Sequence, residues 1–270
     1  GEDNPSWRIL GLLTLTIGLP YFILSTTSPL LQSWFARSFH HAIPYRLFAL
    51  SNLASLLALL AYPFLVEPWI TTRMQSIVWS VFYAVFVCLC GYAAIASMRG
   101  AGQDEKAADE TAQPEAPPGA GIQFVWMTLA ATATFLLLAV TTHITQNVAS
   151  LPFLWIIPLS LYLATFILCF DHPRWYRREV FLLLVAVLLP LMAWYSDSLN
   201  LKLVIPMYLL GLFACCMFCH GELAHIKPAP RHLTRYYLMI SVGGAVGGLL
   251  VGFRSEEHTS ELQSHLNLVC

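Results

Sequence analysis

Charge is what this sequence has least of. Lys and Arg number 14 and Asp and Glu 15 among 270 residues, so only 11% of the chain is charged. A soluble domain carries roughly 25%, and a chain this poor in ions cannot cover a water-facing surface in the usual way. The formal net charge is −1, so no basic field marks it for nucleic acid, which is not an expected partner. Cysteine is sparse too. Apart from Cys270 there are six, five inside apolar runs and Cys169 near the end of one. They read as small buried hydrophobes and not as a disulfide framework. The sequence also shows no nucleotide-binding fingerprint and no nucleophile–base pairing. No carboxylate lies mid-span for a proton relay: Glu67 and Glu222 sit at span ends, and Asp171 lies where a span exits, beside Arg174.

What the chain has instead is apolar sequence, 57% of it hydrophobic. Runs of about 20 residues recur, each long enough to cross a hydrocarbon core of about 30 Å. They are continuous and do not alternate, which disfavours a membrane β-barrel. The expected fold is therefore all-α, a polytopic transmembrane helix bundle with about eight spans and the lipid bilayer as its partner. The candidate spans are Ile9–Leu31, Tyr45–Val66, Met74–Met98, Ile122–Thr142, Leu151–Phe170, Val180–Tyr195, Leu203–Cys219 and Tyr236–Phe253.

Eight spans place the connecting segments alternately on two sides. One side holds Arg37, Arg46, Arg99, Lys106, Arg174, Arg177, Arg178, Lys227, Arg231 and Arg235; the other holds Arg8, Arg73 and Lys202. By the positive-inside rule the first side is expected to be cytoplasmic. Arg99–Gly121, "RGAGQDEKAADETAQPEAPPGAG", is rich in Ala, Gly, Pro and acidic residues. It reads as a disordered cytoplasmic linker dividing three spans in 1–98 from five in 122–253.

Cys216-Met217-Phe218-Cys219-His220 spells the c-type haem attachment pattern. The pattern closes a span on the cytoplasmic side, opposite to where covalent attachment occurs in bacteria, so no haem is expected. No second Cys/His pair lies nearby at zinc-site spacing, so no metal and no cofactor are expected either. "SVGGAVGGLLVG", Ser241–Gly252, sets Gly243/Gly247, Gly244/Gly248 and Gly248/Gly252 four apart. Such a stripe lets two helix backbones approach closely. Polar candidates for a ligand path are Ser25 and Thr26 in "LSTTSP", Asn52 in the second span, and His143, Gln146 and Asn147 in "THITQNVAS". Each has a plainer alternative. The hydroxyls can repair carbonyls freed by Pro20 and Pro29, Asn52 can bridge helices, and Thr142–Ser150 can be a solvated loop. A small-molecule ligand stays open on this basis.

Four stretches together resemble one family: Gly18–Ala36, Pro44–Pro68, Thr142–Ile167 and Cys219–Leu249, the last containing "CHGEL". They are similar to bacterial membrane proteins of the spermidine synthase-like, or fused major-facilitator/spermidine synthase, family. The resemblance spans Ile9–Phe253. It implies a multi-pass region in the bacterial inner (cytoplasmic) membrane, joined to a cytoplasmic aminopropyltransferase-like domain. That domain would bring the nucleoside loop and the acidic residues for an amine, neither of which is in this sequence, so no catalytic residue carries over. A major-facilitator layout has six spans, a cytoplasmic loop and six more. With Arg99–Gly121 as that loop, the eight spans correspond to numbers four to eleven. A transporter or binding module for a polyamine or related small molecule, and a structural membrane anchor, are the alternatives.

The pattern breaks after Phe253. Arg254–His265, "RSEEHTSELQSH", is similar to one reading frame of a widely used sequencing-adapter oligonucleotide, and 254–270 is expected to be an artefact. With Gly1 as the first residue and no signal-peptide pattern, the sequence reads as a fragment, with a C-terminal soluble domain missing.

Overall fold

The computed structural model describes residues 5–18, 24, 26–27, 30–32, 44–108, 117–147, 153–195, 200–229 and 232–269. Among them the regular structure is helical throughout. The helices are α1 (Pro5–Leu13), continued by a π turn over Thr14–Gly18; α2 (Pro44–Ala61), continued by a π turn over Tyr62–Val66; α3 (Thr72–Ala108); α4 (Ala120–Asn147); α5 (Phe153–Asp171); α6 (Arg178–Trp194); α7 (Leu201–His225); and α8 (Leu233–Val269). Pro63 stands near the start of the second π turn. It has no N–H to give the helical ladder, which suits a local widening there.

Six helical segments are long and apolar enough to cross a membrane: Tyr45–Val66, Thr72–Ala96, Ala120–Thr145, Leu154–Asp171, Leu201–His225 and Leu233–Phe253. This is compatible with a multi-pass membrane protein. Two expected spans fall outside that set. The first, Ile9–Leu31, is described only in part. The other is α6, with 17 residues, about 26 Å long at 1.5 Å per residue and so short of a typical hydrocarbon core.

The chain divides into two compact units, residues 1–44 with 73–115, and residues 45–72 with 116–270. In the first unit, α3 is exposed along its apolar span. Trp79 stacks on Tyr83, their rings 5.2 Å apart and nearly parallel. The α3 helix runs on to Ala108, into the stretch read as a linker. Ala101, Gln103, Glu105, Lys106, Ala107 and Ala108 are all good helix formers. Residues 109–116 lie outside the described residues.

The second unit contains α2 and α4 to α8. Its core centres on α7, which packs against α4, α5 and α6, while α8 lies along α4. A Cβ added at Gly243 or Gly247 would fall inside 3.0 Å of a backbone carbonyl of α4, that of Met127 or Ala131 respectively. These two glycines are where α8 and α4 touch backbone to backbone. Gly244 and Gly248 face side chains at ordinary contact distance, Thr134 at 3.6 Å and Leu138 at 3.8 Å, and Gly252 has nothing within 4 Å. The first turns of α2 join the core through aromatic side chains. Phe48 meets Phe166 and Phe170 of α5 and Tyr237 of α8, and Tyr45 meets Tyr236.

Candidate functional site

The α7 helix runs six residues past the expected end of its span, to His225. The hydropathy drops at His220, but no helix breaker comes before Pro228 apart from Gly221, so the backbone continues. His220 therefore lies inside the helix and is fully buried. The expected span ended at Cys219, whereas the apolar helix long enough to cross a membrane runs over Leu201–His225 and so takes in this ionisable side chain. The missed signal was helical spacing: Cys216, His220 and Leu223 recur on one face of α7, and all are buried.

His220 sits between α7 and α5. Its ring stacks on Phe166 at 3.6 Å and meets Tyr162 edge-on at 4.9 Å. Nδ1 lies 2.8 Å from the Thr165 hydroxyl oxygen. That hydroxyl has one proton, which it donates to the Tyr162 carbonyl at 2.7 Å. The Thr165 oxygen must then accept from His220 Nδ1–H, which assigns the Nδ1–H tautomer to the neutral ring. Nε2 is left as a bare lone pair, buried with no hydrogen-bond partner among the described residues. A buried acceptor left in this state costs about 1–3 kcal/mol. An ionisable group inside a membrane span is a functional candidate by default.

The residues after His220 hold the end of α7 in place. Gly221 leaves a hollow filled by the Tyr176 ring, which would clash with any Cβ there. Tyr176 donates its hydroxyl to Glu222 Oε1 at 2.6 Å, and Arg178 Nε approaches the same oxygen at 3.3 Å. Burial, and secondarily this hydrogen bond to Glu222, push the Tyr176 phenol above its ordinary range. A helix C-terminus leaves carbonyls without intrahelical partners. Here aromatic donors supply them: Tyr236 donates to the Leu223 carbonyl at 2.7 Å and Trp126 Nε1 to that of Ile226 at 3.2 Å. Tyr45 donates to the Pro228 carbonyl, and the Lys227 ammonium lies 5.0 Å from the Tyr45 ring centre. "CHGEL" is thus a packing motif in which each residue is engaged: Cys219 and Leu223 are buried too.

Of the expected ligand-path residues, Ser25 lies outside the described residues. Thr26 is half-buried in the first unit. Asn52 donates its amide to the Phe48 carbonyl of its own helix at 2.8 Å. His143 stacks on Tyr208 of α7 at 4.4 Å, and Tyr208 in turn donates to the Met192 carbonyl at 2.9 Å. Gln146 and Asn147 close α4. The segment from Thr142 to Asn147 is helix, not loop, which corrects that alternative. Thr145 helps by donating its hydroxyl to the Thr141 carbonyl at 2.9 Å, the back-bond by which threonine fits a helix. Cys169, Cys215, Cys216 and Cys219 are free and buried, whereas Cys88 is free and exposed. Among the described residues no three His, Cys, Asp or Glu side chains converge as a metal site would require.

Comparisons with protein-family models, with curated proteins and with solved structures find no match.

Proposed function

We propose that this chain is the membrane region of a spermidine synthase-like protein of the bacterial cytoplasmic membrane. In this reading the described helices belong to eight spans of a major-facilitator-like layout, with α6 as a short, tilted member. The chain itself catalyses nothing. It serves as a helical membrane scaffold to which the family's aminopropyltransferase-like domain is joined on the cytoplasmic side. The observation that supports a scaffold is the use made of Cys219–Leu249, one of the stretches that carry the resemblance. Its His220, Gly221, Glu222 and Tyr236 pack against or bond to neighbouring segments, and its Gly243 and Gly247 hold α8 against α4.

One observation favours the second reading, a transporter or binding module for a polyamine or related small molecule. The His220 Nε2 lone pair is a buried acceptor without a donor among the described residues, and an amine N–H would satisfy it. Proteoliposomes holding the purified chain separate the two readings. A scaffold gives no uptake of labelled spermidine above empty vesicles, in wild type and in His220→Gln alike. Saturable uptake lost in His220→Gln would replace the scaffold with the transporter. The gene reassembled from adapter-trimmed reads tests the family assignment: it should encode an α/β domain with a Gly-rich turn after its first strand.

A further inference from the structure

The loop between α5 and α6 combines two features that the scaffold does not use. From His172 onward it is held by local bonds. His172 Nδ1 accepts from the Arg174 N–H at 3.1 Å, and Pro173–Trp175 form one 3-10 turn. Tyr176 and Arg177 are then extended, so successive side chains point to opposite sides. Tyr176 points inward, into the hollow at Gly221 and onto Glu222. Arg174, Trp175 and Arg177 are exposed.

The nearby carboxylates are mostly taken. Asp171 pairs with Arg46 at 3.2 Å, and Glu222 is held by Tyr176 and Arg178. Arg174 and Arg177 have no carboxylate partner among the described residues. The Arg174 guanidinium instead lies 5.6 Å from the centre of the Trp175 ring, whose residue is 47% exposed. The loop is flanked directly by apolar helix, Phe170 on one side and Val180 and Phe181 on the other. An exposed indole at such a boundary suits the headgroup level of a bilayer. Guanidinium forks match phosphate oxygens.

We propose that this loop is a binding site for an anionic phospholipid. Arg174 and Arg177 take the phosphate and Trp175 seats in the interface beside it. Two unneutralised arginines against the single remaining acid, Glu179, leave the loop positive, which favours an anionic headgroup over a zwitterionic one. Tyr176 and Glu222 hold the loop from behind, so the arginines need not be ordered at the moment of binding. The proposal rests on the membrane reading above, though not on which side of the membrane is cytoplasmic.

The test uses the full chain purified in detergent, with melting temperature measured during titration with phosphatidylglycerol, phosphatidylcholine or inorganic phosphate. Phosphatidylglycerol should raise the melting temperature and the other two should not. Arg174→Gln/Arg177→Gln should lose most of that rise without a change in the lipid-free melting temperature, since both side chains point outward. Trp175→Ala should weaken the rise. Lys202→Gln, at the other end of α7, should retain it. The proposal is overturned if phosphatidylglycerol gives no rise, or if the double variant responds like wild type. It is equally overturned if phosphatidylcholine matches phosphatidylglycerol, or if inorganic phosphate alone reproduces the rise, which would indicate a free-anion site. Native mass spectrometry of retained lipid checks the same variants if one is too unstable to melt cleanly, and unchanged lipid retention there overturns the proposal too. Alkaline extraction of cell membranes separates the two levels of failure: release into the supernatant refutes the membrane reading, whereas retention with no lipid response refutes only the site.

Discussion

Gly247 and Gly248 are neighbours in sequence, yet the structure makes opposite demands on them. A Cβ at Gly247 would fall inside 3.0 Å of the Ala131 carbonyl oxygen and stand 3.1 Å from both the Ala131 carbonyl carbon and the Phe135 nitrogen. All three are backbone atoms and cannot rotate away. Ordinary contact begins at 3.4 Å, so α8 and α4 would have to part locally by more than the difference between 3.0 and 3.4 Å. A Cβ at Gly248 would meet only the Leu138 Cδ1 at 3.8 Å, the movable end of a side chain. Replacing either glycine by alanine gains the same helix propensity, about 1 kcal/mol. That term cancels when the two variants are compared, leaving an overpacking cost of about 1–3 kcal/mol on Gly247→Ala alone. Denaturation of the purified chain in mixed micelles should therefore place Gly247→Ala below Gly248→Ala by that amount. Gly243→Ala should behave like Gly247→Ala, and Gly244→Ala and Gly252→Ala like Gly248→Ala. Equal stability of Gly247→Ala and Gly248→Ala would refute the backbone-to-backbone contact.

Three further outcomes are expected. Thr165→Val should destabilise by about 1–3 kcal/mol, because it strands the buried His220 Nδ1–H, and Thr165→Ser should restore most of the loss; equal stability of wild type and Thr165→Val in the same denaturation assay would remove the pairing. The Tyr176 phenol is held above the ordinary tyrosine value of about 10 by burial and then by Glu222, so the folded state binds its proton more tightly than the unfolded state. The stability it contributes is present below about pH 10 and is lost as pH rises from there; Tyr176→Phe should flatten that part of the stability–pH curve, and a tyrosinate absorbance titration that shows Tyr176 ionising with the exposed tyrosines would contradict the burial. For orientation, a single cysteine at position 108 of a cysteine-free variant should resist a membrane-impermeant thiol reagent in intact cells and react after lysis, and ready labelling in intact cells would reverse the proposed topology.

Hydrophobic patterning in the sequence was enough to place the six membrane-length apolar segments of α2, α3, α4, α5, α7 and α8 within six residues at either end, though not the helical extensions of α3 to Ala108 and of α8 to Val269, because an apolar run of membrane-spanning length has few other stable forms. The four-residue spacing of Gly243 and Gly247 likewise pointed to a close helix contact, since removing side chains along one stripe has a direct steric consequence. The sequence could not say which glycines of the stripe meet a backbone and which meet side chains or open space. That depends on the rotation of α8 against α4, which is set by the whole packed face. Nor could it place His220. Hydropathy falls where the ring enters, whereas burial is decided by Thr165, Phe166 and Tyr162 on a helix some 55 residues earlier in the chain. "CHGEL" was legible as a motif but not as a mechanism. Its glycine is explained by the Tyr176 ring and its glutamate by the Tyr176 hydroxyl, and only the tertiary fold brings that residue to both. Local sequence fixes what a segment can be; which polar atoms find partners is decided by segments far away in the chain, and the unpartnered Nε2 of His220 exists only at that level.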